Sequence, residues 1–368
     1  MLKHRLVFIG TYTEPILFGT GKILQGKGEG IYVYKLDESS GSMKLCCIAQ
    51  AGPNPSYLTF DPSHRFLYTV NELKDFEGAP TGAVSAFSID PVNGTLSLLN
   101  RQSSHGTDPC HLIVDKTGRY ILVTNFMSGS VCVLPIRKDG SLGDPTDVIQ
   151  HHGSSVDPIR QTGPHAHSVT LDETGHYAFV PDLGLDKLMV YRFDPNRGKL
   201  EPNDEPWIDI PAGSGPRQFV MHPGGRYAYL INELNSTVMA FGYEREQGSL
   251  RKIQTIATLP EEFEGKSTCG ELQISPSGKH LYGSNRGQDS IVIYAINQMD
   301  GTLSYIGYKS TQGKTPRHFI IDPDGQFLLV ANQDNDSVIS FRLDSVSGEL
   351  SATGHNTNVP TPTCVKIL

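Results

Sequence analysis

A chain of 368 residues, 38% hydrophobic and 19% charged with 38 glycines and 24 prolines, is that of a globular protein rich in turns and poor in long helices. Its 31 basic and 39 acidic residues leave a formal charge of −8 with no Lys/Arg cluster, which argues against nucleic acid as a partner. No apolar run approaches the ~18 residues of a membrane helix, and Met1-Leu2-Lys3-His4-Arg5 leads into a strand-like segment without a signal-peptide core, so no membrane association and a cytoplasmic location are expected.

Taken in chain order, the first expected strand is Arg5-Leu6-Val7-Phe8-Ile9-Gly10. A long loop from Thr13 to Gly30 follows, carrying Gly19, Gly21, Gly26 and Gly28. Gly19-Thr20-Gly21-Lys22 shares only composition with a phosphate loop, since the Gly-x-x-x-x-Gly-Lys-Ser/Thr spacing and a following helix are missing. Loops of this length are often functional, and this one reads as mobile cover for a site.

Next comes Ser40-Gly41-Ser42-Met43, the first of a series of glycine turns that each run into Leu or Met. The others are Asn93-Gly94-Thr95-Leu96, Asp139-Gly140-Ser141-Leu142, Arg197-Gly198-Lys199-Leu200, Gln247-Gly248-Ser249-Leu250, Asp300-Gly301-Thr302-Leu303 and Ser347-Gly348-Glu349-Leu350. Their mean spacing of about 50 residues makes one repeated unit fill the chain. A second turn interleaves with the first: Asp61-Pro62-Ser63-His64, Asp115-Lys116-Thr117-Gly118, Asp172-Glu173-Thr174-Gly175, His222-Pro223-Gly224-Gly225, Ser275-Pro276-Ser277-Gly278 and Asp322-Pro323-Asp324-Gly325. Between the turns lie β-rich runs such as Phe66-Leu67-Tyr68-Thr69-Val70 and Ile291-Val292-Ile293-Tyr294, giving four strands, A to D, per unit.

The C-terminal Pro362-Thr363-Cys364-Val365-Lys366-Ile367-Leu368 reads as an A strand that lacks its own B strand, while Arg5–Gly10 reads as a B strand that lacks its A. The expected fold is therefore an all-β, seven-bladed β-propeller of four-stranded antiparallel blades. Residues 1–368 would form one domain, closed by the C-terminal strand on the N-terminal blade so that no sheet edge stays open. Two packed β-sandwiches explain neither the number of turns nor the split terminal unit.

In a propeller the A strands line a central channel, and the start of A and the end of B share one face. The fifth residue before each second turn gives Ser56, Cys110, His167, Arg217, Gly270, Arg317 and Thr363. The residue after each B strand gives Tyr12, Glu72, Phe126, Leu183, Glu233, Arg286 and Gln333. By this register His167, Arg217, Glu233, Arg286 and Arg317 converge on one side of the channel mouth, with Glu72, Gln333 and His111 on the other. In Gly163-Pro164-His165-Ala166-His167, counting back from Asp172 favours His167, and His165 would point to the same side of an extended strand. The Val148 to Gly163 loop, with His151, His152 and Arg160, leads into it and reads as solvated. No matching carboxylates accompany those histidines, so neither a metal nor any cofactor is expected. The six cysteines, Cys46, Cys47, Cys110, Cys132, Cys269 and Cys364, form no Cys-x-x-Cys pair and read as reduced, mostly buried thiols.

Five segments, Pro164-His165-Ala166-His167-Ser168, Gly215-Pro216-Arg217-Gln218, Asn232-Glu233-Leu234-Asn235-Ser236, Ser284-Asn285-Arg286 and Pro316-Arg317-His318, resemble signature segments of the seven-bladed propeller lactonases. That family includes bacterial cycloisomerase-like 6-phosphogluconolactonases and the fungal enzyme that lactonises 3-carboxy-cis,cis-muconate. The likeness runs through every blade. It implies a site made of His167, Arg217, Glu233 and Arg286, the four that register had already brought together. The Thr13 to Gly30 loop departs from both branches.

The resemblance implies metal-independent hydrolysis of a sugar-acid lactone, with 6-phosphogluconolactone leading. His167 would transfer the proton at a pKa near ~6.5, Glu233 would orient it or the water, and Arg286 and Arg217 would hold the oxyanion or a carboxylate. Arg317, with His165, Glu72, Gln333 and His111, would bind the substrate, Arg317 taking the phosphate. Two alternatives stay open: reversible lactonisation of a carboxymuconate-type dicarboxylate, and a non-catalytic propeller that binds a peptide or small ligand. The partner expected is a small anionic lactone or carboxylate, and the chain a monomer or weak homo-oligomer. A local positive spot is expected at the mouth of this acidic molecule.

Overall fold

The computed structural model describes residues 4–368; Met1 to Lys3, part of the segment read above for a signal peptide, lie outside the described residues. Among the described residues are seven four-stranded antiparallel sheets and one two-stranded hairpin. The sheets stand as blades around an axis, with A strands of neighbouring blades touching in six of the seven seams.

The first blade runs from Pro55–Phe60 through Phe66–Asn71 and Ala83–Ile89 to Leu96–Ser103. Five more follow the same order, and the last is shared between the termini. Pro362–Ile367 is its A strand and pairs antiparallel with His4–Thr11, Val7 opposite Ile367 and Ile9 opposite Val365. The ring thus closes as expected, and closure removes the two edges that an open array would expose.

A blade is covered by a neighbour on both faces, so its B strand reads as a nearly continuous apolar run rather than an alternating one. Tyr227–Asn232 is buried at every position, whereas the outermost strand Leu96–Ser103 is half-exposed. Between the fourth and fifth blades, Tyr229 and Ile231 pack with Leu272, Leu281 and Val292. Each such side chain contributes about 1.5 to 3 kcal/mol.

The repeated glycine has a steric cause. Gly140 sits at φ +88°, and a Cβ there would lie 2.3 Å from the ring of Phe66 on the preceding blade. Gly248, at φ +63°, approaches Tyr177 in the same way, at 2.2 Å. These C–D turns cap the first B-strand residue of the blade before them, while Gly94 approaches Val33 and Leu6, and only glycine allows both the backbone conformation and the approach. The second turn is held by its first residue: Asp61 Oδ1 accepts from the amides of Arg65 (2.8 Å) and Phe66 (2.7 Å), and Asp322 repeats the pattern.

One blade departs from the pattern. In the third, the A strand is only Thr170–Leu171 with an isolated bridge between Ala166 and Asp182. The Asp182 carboxylate takes the place of ladder carbonyls there, accepting from the amides of His165 (2.7 Å) and Gly184 (3.0 Å).

Candidate active site

One backbone hydrogen bond per blade brings the end of B to the start of A. The residue after the B strand donates its N–H to the carbonyl two residues before the A-strand register position. Glu72 N reaches Asn54 O (3.0 Å), Phe126 N reaches Asp108 O (2.9 Å), and Glu233 N reaches Gly215 O (2.6 Å). Asn54, Asp108 and Gly215 have φ of 45°, 52° and 64°. Glycine and Asn/Asp tolerate that left-handed region best. Just inside, the A–B pairing slips between Pro109 and His111 and between Pro316 and His318. A bulge turns two consecutive side chains to one side. Cys110 and His111, like Arg317 and His318, therefore all face the channel.

The mouth is a cavity of about 290 Å³, near the lower end of ligand pockets (~300 to 1,000 Å³). His167, Glu233 and Arg286 border it from one side, Arg317, Glu72 and Gln333 from the other. Arg217, expected at the mouth, does not border this cavity: it lies beneath and lines a second cavity of about 20 Å³ farther down the channel, reaching the mouth only through Glu233 and His167.

Glu233 is the centre of charge. Its Oε2 is 2.7 Å from Arg286 Nη2 and 3.0 Å from Arg217 Nε, and its Oε1 accepts from Arg160 Nη2 at 2.6 Å. Burial alone would push this carboxyl up, but Arg286, Arg160 and Arg217 outweigh it and hold Glu233 well below the usual range. Arg286 also donates to Cys269 O at 2.6 Å, and its Nε–H has no partner in the protein. Its side chain is 13% exposed, so the arginine is paired yet open to the cavity.

His167 Nδ1 is 3.5 Å from Arg217 Nη1. Arginine only donates, so Nδ1 accepts and the ring proton sits on Nε2. Burial and then Arg217 push His167 well below its ordinary value, rather than leaving it near 6.5, so it is neutral at pH 7. Across the mouth, the Arg317 guanidinium lies over Tyr12 (5.4 Å) and Phe18 (5.6 Å). Among the described residues it forms no ion pair. Glu72 accepts from Tyr12 Oη at 3.0 Å and is pushed up by burial, which Arg317 partly offsets.

The Thr13 to Gly30 loop lies over this face as expected. Its hairpin, Ile16–Leu17 with Ile23–Leu24, brings Phe18 and Lys22 to the cavity, and Lys22 Nζ pairs with Asp334 at 3.5 Å.

Two expected substrate residues stand elsewhere. His165 does not border the cavity: the A strand is broken there, its ring stacks on Phe126 at 4.6 Å, and Nδ1 meets Phe126 O at 2.9 Å. His111 is one layer below the mouth, packed on Tyr57 at 4.3 Å beside Glu271, because the bulge sends it down the channel. The loop histidines are not all solvated either. His151 is buried, with Nδ1 2.6 Å from Asp182 and Nε2 2.8 Å from Tyr191 Oη, a structural link. Cys110, at a register position, is a buried thiol pushed up to about 12 by burial and then Glu72, donating to His167 O.

Register reasoning missed Arg160, Asp108 and Lys22, all of which border the mouth. Arg160 comes from a loop that Asp157 pins through the amides of Ile159 (2.8 Å) and Arg160 (2.9 Å). Its only sequence signal was membership of the loop leading to His167. With these additions the mouth carries Lys22, Arg160, Arg286 and Arg317 against Glu72, Asp108, Glu233 and Asp334. The positive spot read from the sequence therefore exists only to the extent that Glu72 and Asp108 hold protons, and burial pushes both up.

Residues 6–367 match the family model described as lactonase, 7-bladed beta-propeller. The chain belongs to that family. Within it, the chain is 32% identical over 361 residues to a 6-phosphogluconolactonase of Bacillus subtilis, covering 98% of this chain and 97% of that one. It is 34% identical over 321 residues to a 6-phosphogluconolactonase of Formosa agariphila, covering 86% of each. The structure of the Pseudomonas aeruginosa periplasmic gluconolactonase PpgL superposes with a TM-score of 0.91 at 37% identity, covering 100% of this chain and 99% of that one. Among the described residues no helix is long and apolar enough to cross a membrane, and no group of His, Cys, Asp and Glu is placed to hold a metal.

Proposed function

We propose that this member of the lactonase family hydrolyses a sugar-acid lactone bearing an anionic group, with 6-phosphogluconolactone the substrate and the cytoplasm the place of action. The observation that carries the anionic part is Arg317, a cation held between two rings at the mouth with no carboxylate partner, opposite a neutral histidine. A planar guanidinium with free donors suits phosphate oxygens, and Lys22 on the covering loop adds a second cation.

Addition of water to a lactone carbonyl places negative charge on the carbonyl oxygen. The Arg286 guanidinium, partly exposed at the cavity wall, and His167, with its proton on Nε2, supply donors for that oxygen. Arg217 acts through His167 by fixing the tautomer, and Glu233 fixes three arginines at once. Hydrolysis of 6-phosphogluconolactone by the purified chain tests the reading, with His167→Ala as control. Near-normal activity in that variant would remove His167 from the site.

The relative named as a gluconolactonase supports a second reading, an uncharged gluconolactone as the better substrate. Comparing kcat/KM on the phosphorylated and plain lactones separates the two, and turnover of carboxymuconates with neither lactone would favour the lactonising direction.

A further inference from the structure

Asp108 occupies the position two residues before the register residue of the second blade, and the same position in the first blade is Asn54. The two backbones match, both with positive φ and both with a carbonyl accepting from the residue after a B strand. Their side chains differ. Asn54 is spent on structure: its Oδ1 accepts from the amides of Thr13 (2.9 Å) and Glu14 (3.0 Å). Asp108 borders the mouth cavity, is 4% exposed, and has a buried Oδ2 without any hydrogen-bond partner in the protein. A buried carboxylate oxygen without a donor is costly, so its retention at a cavity wall points to use by a water or a substrate.

We propose, on the lactonase reading above, that Asp108 is the general base that draws a proton from the attacking water, with Glu72 as its positioning residue. The water oxygen bonds to the lactone carbonyl carbon as its proton passes to the Asp108 carboxylate. The carbonyl electron pair moves onto the oxygen faced by Arg286 and His167. On collapse the bond from carbonyl carbon to ring oxygen breaks, and Asp108 returns the proton to the departing oxygen. One water is consumed and the carboxylate is regenerated. Asp108 fits better than the groups first suggested by register. Glu233 is too strongly held ionised to be a good base, and His167 presents N–H rather than a lone pair.

The local charges match that role. Burial, and then Glu72, push Asp108 up to about 7, with Lys74 opposing. Around the same cavity stand the cations Lys22, Arg160, Arg286 and Arg317 and the carboxylates Glu233 and Asp334, and His167 is neutral. A base titrating near working pH combines availability of the ionised form with basicity. Glu72 is anchored by Tyr12 Oη and is the charge that raises its neighbour.

The test measures lactone hydrolysis by wild type, Asp108→Asn and Glu72→Gln between about pH 5 and pH 8.5, with the spontaneous rate subtracted. Binding of 6-phosphogluconate is followed by calorimetry. Wild-type kcat/KM, which reports the free enzyme, should rise to a plateau through a midpoint about 7. Asp108→Asn should lose about 10²- to 10⁴-fold in kcat while binding 6-phosphogluconate within about threefold of wild type. Glu72→Gln removes the negative neighbour, so its midpoint should move to lower pH. Retention of kcat within about fivefold in Asp108→Asn, or an unmoved midpoint in Glu72→Gln, overturns the assignment. Should Asp108→Asn fail to fold, the Glu72→Gln midpoint decides alone. A wild type that turns over no lactone overturns the functional reading itself, which is a different result from an active wild type matched by an active Asp108→Asn.

Discussion

The Arg317 guanidinium lies against the Tyr12 and Phe18 rings without an ion pair to any described carboxylate, so its loss removes charge-assisted hydrogen bonds to an anion and little of the packing beneath. Such bonds are worth about 1.5 to 3 kcal/mol, or roughly 10- to 100-fold in affinity. Arg317→Ala should therefore raise KM for the phosphorylated lactone by that factor with kcat nearly kept, and leave KM for plain gluconolactone unchanged. Arg317→Lys should restore only part, because an ammonium does not form two parallel bonds to an anion. Equal losses on both lactones would place Arg317 in the scaffold. Glu233 behaves oppositely. Glu233→Gln leaves Arg160, Arg217 and Arg286 buried around a neutral group, and breaking a buried pair in this way costs about 3 to 5 kcal/mol. Because the three arginines depress its folded pKa, the stability that Glu233 adds is present above the ordinary ~4.3 and lost as pH falls through the folded value. The melting temperatures of Glu233→Gln and wild type should thus converge only in acid.

At the scale of the element, the C–D turns are where sequence and structure agree most directly. Gly140 needs positive φ and lies 2.3 Å, measured from an added Cβ, from Phe66 of the blade before it. Gly140→Ala should therefore lower stability by about 1 to 3 kcal/mol, read as a shifted urea midpoint at constant slope. Phe66→Leu in the same chain should recover part of it, and a neutral Gly140→Ala would show that the turn has room to relax. These turns were legible because the whole cause is local: a backbone angle, a close neighbour and an Asp side chain capping its own loop. Register likewise found His167, Arg217, Glu233, Arg286 and Arg317, since one backbone bond per blade fixes which residues share a face. It misplaced His111, one residue past its register position, where the bulge that recurs from blade to blade sends the second side chain down the channel, and His165, where Asp182 replaces ladder carbonyls. Arg160 and His151 come from a loop whose path is set by Asp157, Asp182 and Tyr191, contacts with no periodic trace in the sequence.

For the whole molecule, the shared blade makes the site depend on ring closure. The strand Pro362–Ile367 supplies Val365, buried against Ile9, and Thr363, which borders the lower channel between the A strands of the first and sixth blades. Leu368 N also donates to Leu6 O at 2.8 Å. Ending the chain after Val359 removes this strand and bares the edge of His4–Thr11 along with Tyr57, Ile320 and Leu329, apolar surface that the strand packs against. An uncovered strand of that composition is a template for pairing with another chain. The truncated protein should therefore form dimers or larger species by light scattering and lose lactone turnover, although His167, Arg217, Glu233, Arg286 and Asp108 are all still present. Adding a synthetic peptide spanning residues 360–368 should return part of the monomeric fraction and part of the turnover together, because the same strand closes the ring and sets the spacing across the channel. A truncated chain that stays monomeric and fully active would show that six complete blades hold the mouth without closure.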